Sequence, residues 1–226
     1  MVKLIFLCRR RPDIIHARYS ELLLNGHVPL ALRHHPTLRR YVVNIVEHVP
    51  AGAPPLDSIG ELWFDSLDDF RDRLYDSQAG RTLIERDVQG FMGGADAYVT
   101  TEYVQKPGVS GVTLGRRTPG VKLICPIQRR AGMSHAEFVA HWLERHVPLA
   151  LVHHPGFSQY VTNVVEQRLS DGGGEWDGIS ALHFASEQDW QERMYDSAAG
   201  ARIIQADVAR FIGRGVMYRV AEYIQR

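Results

Sequence analysis

Cysteine is almost missing from this chain: Cys8 and Cys125 are the only two in 226 residues. Each falls in an apolar stretch, which predicts buried, reduced thiols and argues against a disulfide framework or a cysteine nucleophile. Charge of neither sign is in excess, because 26 Lys plus Arg balance 26 Asp plus Glu. No net field therefore draws the chain toward nucleic acid, an anionic membrane or an acidic substrate. Long hydrophobic runs are also lacking. The opening VKLIFL run ends after six residues at Arg9, Arg10 and Arg11, too short to span a bilayer and in the wrong order for a signal peptide, so a cytoplasmic location is the default expectation. The sequence carries no GxGxxG loop after a strand, no Walker-type lysine loop, no GxSxG elbow, no CxxC and no HExxH, which disfavours dinucleotide, ATP, serine-hydrolase, thioredoxin and zinc-protease chemistry. The expectation is a protein that works with no metal and no cofactor.

What the chain does contain is a copy of itself. Sliding it by 119 residues places HVPLALRHHPTLRRYVVNIVE (27–47) on HVPLALVHHPGFSQYVTNVVE (146–166), with 14 of 21 positions identical; ordinary composition would match at about one position in 17. A shift of 120 aligns LYDSQAG (74–80) with MYDSAAG (194–200), and Ile84, Asp87, Val88 and Phe91 with Ile204, Asp207, Val208 and Phe211. This is a tandem duplication, with units at 1–105 and 121–226 and a Pro/Gly-rich linker at 106–120. Two copies are too few for a solenoid, so a closed two-unit body is expected.

Within each unit the signals run strand, helix, strand, strand, helix, strand. Strands are predicted at 2–7, 41–49, 59–64 and 97–105, and at 121–127, 160–168, 179–184 and 217–225, with hairpin loops at 50–55 and 170–178. A capping box at Ser134 and Glu137 starts the first helix of the second unit; Pro12 and Asp13 stand at the start in the first. Pro29 and Pro148 predict that each first helix breaks near His27 or His146 and resumes. The second helices, at 67–91 and 187–212, are expected to be interrupted near Tyr-Asp-Ser, with Asp or Ser capping the following segment. The βαββαβ order makes the fold class α+β, two tandem ferredoxin-like units whose open sheet faces bury each other in a pseudo-dimeric barrel. One chain would then do what two usually do, giving a monomer with an internal pseudo-dimer, with a homodimer of such barrels left open.

Histidine is abundant, at 11 residues, and six of them fall at equivalent places. His27 and His146 sit at the expected helix breaks, where an imidazole able to exchange protons near neutral pH could be aimed into a cavity; the alternative is that they cap helix ends. The His-His-Pro pairs, His34 with His35 and His153 with His154, are candidate binding residues by the same argument. Tyr41 and Tyr160 open the second strands three residues before Asn44 and Asn163, so alternation lets only one of each pair face the barrel, and tyrosine is the expected one, as a hydroxyl for a carbonyl or enolate oxygen or simply as packing. The copies also differ: Trp63 becomes His183, Glu61 becomes Ala181, Leu23 becomes Trp142, Asn25 becomes Glu144 and His48 becomes Gln167. If odd-numbered residues of the third strand face the cavity, Trp63 and Glu61 mark one end of it and His183 the other, with Trp142 a further candidate binding residue.

The opening VKLIFLCRRRP, the His-x-Pro-Leu helix, the Tyr-Val-x-Asn strand and the Tyr-Asp-Ser helix together resemble the EthD family of dimeric α+β barrel proteins, in both halves, and FVAHWLERHVPLAL (138–151) carries the resemblance most fully. The resemblance implies relatives such as polyketide cyclases and dehydratases, muconolactone-type isomerases, quinone-forming monooxygenases and haem-dependent barrel enzymes. It also implies a cavity between helices and sheet, with His27 and His146 matching the His-x-Pro-Leu histidine and Tyr41 and Tyr160 the strand tyrosine. On that basis the expected function is a cofactor-independent lyase, cyclase or isomerase using His/Tyr acid-base chemistry on a hydrophobic carbonyl compound. A non-catalytic carrier of a hydrophobic small molecule and a cofactor-free monooxygenase are the alternatives.

Overall fold

A computed structural model describes residues 1–108, 113–170 and 174–226 of the protein. The first half runs β1 (Val2–Arg10), α1 (His16–Glu21), a π-helical segment (Leu22–His27), α2 (Val28–His34), β2 (Arg40–His48), β3 (Ser58–Phe64), α3 (Leu67–Arg71), α4 (Gln78–Phe91) and β4 (Met92–Lys106). The second repeats it as β5 (Val121–Arg129), α5 (His135–His141), a π-helical segment (Trp142–His146), α6 (Val147–His153), β6 (Phe157–Arg168), β7 (Gly178–Phe184), α7 (Glu187–Arg193), α8 (Ala198–Phe211), β8 (Ile212–Gly215) and β9 (Tyr218–Ile224). Residues 109–112 of the expected linker and 171–173 of the expected second hairpin loop lie outside the described residues.

The strands pair in the order β7-β6-β4-β1-β3-β2-β9-β5, and β5 returns to β7, so eight antiparallel strands close into one barrel with β8 added beside β5. The halves are stitched together twice, β4 to β6 and β2 to β9. Closure removes the exposed sheet edges that a single half would carry. Residues 113–120 lie along β9, with Thr118 N–H donating to the Glu222 carbonyl at 2.8 Å and Gly115 N–H to the Ile224 carbonyl at 2.7 Å.

Strand alternation sorts the apolar residues into three cores. Ile5, Val46, Ile59, Tyr98, Ile124, Ile179 and Tyr218 fill the barrel. Leu4, Tyr19, Tyr41 and Phe91 pack between helices and sheet in the first half, and Leu123, Phe138, Trp142, Tyr160 and Phe211 do so in the second.

Two helical features differ from expectation. Neither proline breaks its helix: Val28 N–H bonds to the Leu23 carbonyl and Val147 N–H to the Trp142 carbonyl, five residues back. The widened π turn absorbs the proline, whose missing N–H falls at the second position of the segment that continues, where it costs least. The first helix also starts later than Pro12 suggests, after Ile15 and with no side-chain cap, whereas Ser134 and Glu137 form a complete capping box. The first strand of each half runs past the predicted 2–7 and 121–127 to include Arg10 and Arg129, which Asp57 and Asp177 hold.

Candidate active site

Each half encloses a cavity between its helices and the outer face of the barrel, about 270 Å³ in the first and about 340 Å³ in the second. His27, His35, Tyr41 and Leu23 line the first; His146, His154, Tyr160 and Trp142 line the second. The remaining surface is mostly aliphatic and aromatic. A larger hollow of about 520 Å³ is walled largely by arginines, carboxylates and amides and shares none of these residues.

The π turns place the histidines. His27 Nδ1 lies 2.9 Å from Asp87 Oδ2, and His146 Nδ1 lies 3.0 Å from Asp207 Oδ2. A carboxylate only accepts, so Nδ1 carries the proton and Nε2 keeps the lone pair. Among the described residues nothing bonds to Nε2 of either ring, and both rings line cavities. An imidazole held by a carboxylate on one nitrogen and open on the other has the geometry that general-base chemistry requires. Burial lowers the His146 pKa, with the Asp207 bond opposing, so the ring is neutral and able to accept a proton at neutral pH.

The tyrosines supply the complementary group. Burial raises the Tyr160 and Tyr41 hydroxyls well above their ordinary value, so both stay protonated and can donate. Trp142 Nε1 donates to the Tyr160 oxygen at 3.3 Å, which leaves the Tyr160 proton for the cavity. Leu23 stands at the equivalent place in the first half, and there the Tyr41 hydroxyl has no hydrogen-bond partner among the described residues. Trp142 has room because Gly178 lies beneath it: a Cβ there would come within 2.2 Å of the indole. The first half has Ser58 instead, holding the Tyr19 hydroxyl at 2.7 Å.

His35 and His154 also face the cavities, with Nδ1 of each directed at a backbone carbonyl, Leu74 at 3.1 Å and Met194 respectively. Burial pushes His35 down to about 4 and lowers His154 as well. The thiols of Cys8 and Cys125 border the same spaces, and burial pushes each up to about 12, far from thiolate chemistry at neutral pH.

The other candidates lie elsewhere. His34 and His153 bond Asp76 and Asp196 at 2.9 Å outside the cavities. This is the structural use of Tyr-Asp-Ser: the Asp holds the histidine, Ser77 or Ser197 caps the next helix, and Gly80 or Gly200 leaves space, since a Cβ would fall 2.2 or 1.9 Å from the Asp carboxylate. Trp63 and His183 do sit on the odd face of the third strands, but that face is the barrel interior, as is that of Asn44 and Asn163. The tyrosines, expected inside the barrel, point outward to the helices instead.

Trp63 and His183 therefore do not mark two ends of a substrate cavity. They flank one buried ionic cluster. Glu61 bridges Lys3 and Lys122 at 2.7 Å each, Lys3 also reaches Glu102 at 2.6 Å, and Lys122 reaches Glu222 at 2.5 Å. Asn44 Nδ2 donates to Glu61 at 2.9 Å, and Lys3 lies 4.5 Å from the Trp63 ring centre. Burial, with the Lys122 charge, pushes His183 down to about 4.

Sequence reasoning did not single out Asp87, Asp207 or His141 as site residues. The signal for the two aspartates was their equivalent position in the repeat, four residues before the equivalent phenylalanines Phe91 and Phe211. Among the described residues no group of three or more His, Cys, Asp and Glu side chains is arranged to hold a metal ion, and no helix is long and apolar enough to cross a membrane.

Comparison with known proteins gives a family match for the sequence and a fold match for the barrel. The EthD domain model matches residues 11–95 and 130–215. No curated protein sequence matches the chain. Among solved structures, an anthrone oxidase-like protein superposes with a TM-score of 0.64 at 11% identity, over 99% of this chain and 92% of its own. A candidate monooxygenase of Fusobacterium nucleatum gives 0.63 at 7% identity, over 100% and 92%. A mutant chlorite dismutase of Candidatus Nitrospira defluvii gives 0.52 at 15% identity, over 97% and 91%. At these identities the likeness is one of fold, a closed antiparallel barrel with helices outside.

Proposed function

Because this chain belongs to the EthD family, whose domain it carries in both halves, we propose that it is an acid-base enzyme acting without a cofactor on a hydrophobic carbonyl compound. Each half is read as a ferredoxin-like unit, at 1–105 and 121–226 about the linker, so that one chain suffices for the barrel. The observation that carries the proposal is the second-half cavity, where the Asp207-held His146 and the Tyr160 hydroxyl share an apolar space.

His146 Nε2 takes the proton α to the carbonyl, the C–H electron pair passes into an enolate, and the Tyr160 O–H donates to the enolate oxygen. Returning the proton to another carbon gives an isomer; expelling a β-hydroxyl, protonated by the imidazolium, gives the dehydrated product of a lyase or cyclase. Capture of the same carbanion by dioxygen gives a hydroperoxide, which loses the remaining α-proton and expels hydroxide as water with O–O cleavage to leave a new carbonyl; this is the second reading, a cofactor-free monooxygenase, and the neighbours named anthrone oxidase-like and monooxygenase favour it.

Proton exchange tests the shared first step. Deuterium incorporation at the α-carbon of 1-tetralone and anthrone, followed by NMR in D₂O, should be accelerated by the protein and fall about 10²- to 10⁴-fold in H146A with binding unchanged. Oxygen uptake on anthrone separates the two readings. Ligand binding with exchange no faster than in buffer would show a carrier and overturn the enzyme reading.

A further inference from the structure

Both halves pair a cavity-lining histidine with an aspartate, but only the second places another imidazole behind the carboxylate. His141 Nε2 lies 2.9 Å from Asp207 Oδ1, while His146 Nδ1 occupies Oδ2. Leu22 stands at the position equivalent to His141, so the first half has no such group. The environments of the two carboxylates agree with this. Asp207 is only 5% exposed at its side chain against 22% for Asp87, which water can reach. A buried carboxylate needs each oxygen satisfied by the protein.

The backbone explains how two histidines five residues apart reach one aspartate. In an α-helix, positions five apart diverge by about 140° around the axis. The π turn at Trp142–His146, closed by Val147 N–H to the Trp142 carbonyl, winds more slowly and brings them toward one face. Phe211 then packs against both rings, with centroids 4.8 Å from His141 and 5.1 Å from His146. The titratable groups facing His146 are Asp207 on α8, His141 one π turn back and His154 at the end of α6, with Tyr160 across the cavity.

The geometry points to His141 as a positioning residue: through Asp207 it fixes the tautomer of His146 and holds its basicity down, which makes the second cavity the specialised site of the pair. An N–H donated to Oδ1 draws charge from the carboxylate that supports the imidazolium, and it locks the Asp207 rotamer that aims Nε2 into the cavity. The inference rests on His146 being the base but not on which reaction follows.

Nitrogen-15 NMR of the full-length, ligand-free protein, titrated between pH 4 and 8, reads the tautomer and protonation midpoint of His146 directly. His141→Phe keeps a ring against Phe211 but has no N–H to give. Its expected effect is about tenfold tighter proton binding at His146, a rise of about one pH unit in its midpoint. His141→Gln, which retains an N–H donor, should restore the original midpoint. Should H141F fail to fold, His141→Leu, the residue of the first half, takes its place. An unmoved His146 midpoint in the folded Phe or Leu variant, or a Gln variant that behaves like Phe, overturns the inference. A shifted midpoint in a protein that shows no α-proton exchange would refute the proposed reaction and leave the positioning role standing.

Discussion

Replacing Glu61 with alanine should destabilise the closed barrel, because one carboxylate there serves both halves. Glu61 is 4% exposed and accepts from Lys3, Lys122 and Asn44. Burial works to raise its pKa, yet Lys122 and Lys3 hold the carboxyl well below its usual value. Without it, Lys3 retains Glu102 and Lys122 retains Glu222, but each buried ammonium loses one of its two carboxylate partners and Asn44 Nδ2 loses one of its two acceptors. Removing one member of a buried ion cluster costs about 3–5 kcal/mol, and the retained partners place this case near 3. For a chain of this length that is about 6–12 °C in melting temperature. Ala181 occupies the position in β7 equivalent to Glu61, and Lys122 and Glu222 are equivalent to Lys3 and Glu102. The double variant E61A/A181E, which moves the carboxylate to the other half, should therefore recover at least half of the loss. Thermal and urea unfolding followed by circular dichroism measure both. A cost below about 1 kcal/mol for E61A, or a double variant no more stable than E61A, would refute the idea of one shared carboxylate near a pseudo-twofold axis.

Stability should also depend on mildly acid pH. Burial depresses His35 and His183 to about 4 from the ordinary 6.5, so the unfolded chain binds more protons between these values and the stabilisation present above pH 6.5 is lost as pH falls toward 4. Urea midpoints at pH 7 and pH 5 check this, and equal midpoints would contradict it. Gly178→Ala should force the Trp142 indole to move by an ångström or more, since the added Cβ would meet it at 2.2 Å. The variant should fold with a smaller second cavity and weaker binding of a hydrophobic ketone by titration calorimetry, whereas unchanged affinity would mean that Trp142 does not shape the site.

Much of this molecule could be read from the order of its residues. Duplication is a property of the sequence itself, and the β-branched, apolar run at 121–127 needs no third dimension to suggest a buried strand. His27, His146, Tyr41 and Tyr160 could be named because their residue types and repeat positions single them out. The partners could not: Asp207 is 61 positions from His146, and nothing local links them. Only the packing of α8 against the π turn brings carboxylate to imidazole. The same holds for the faces of the strands. Period-two alternation separates Tyr41 from Asn44, but which of the two sides becomes the barrel interior depends on where the helices dock, and the barrel buries charged residues where Lys3 and Lys122 are paired with Glu61, Glu102 and Glu222. Pro29 and Pro148 read locally as helix breaks, and a π turn, whose widened ring is stabilised by the histidine, phenylalanine and aspartate packed around it, keeps the helix whole. Sequence thus determined the repeat, the elements and the chemical types available; tertiary structure decided which of them meet, because hydrogen bonds and burial act between residues that are distant along the chain.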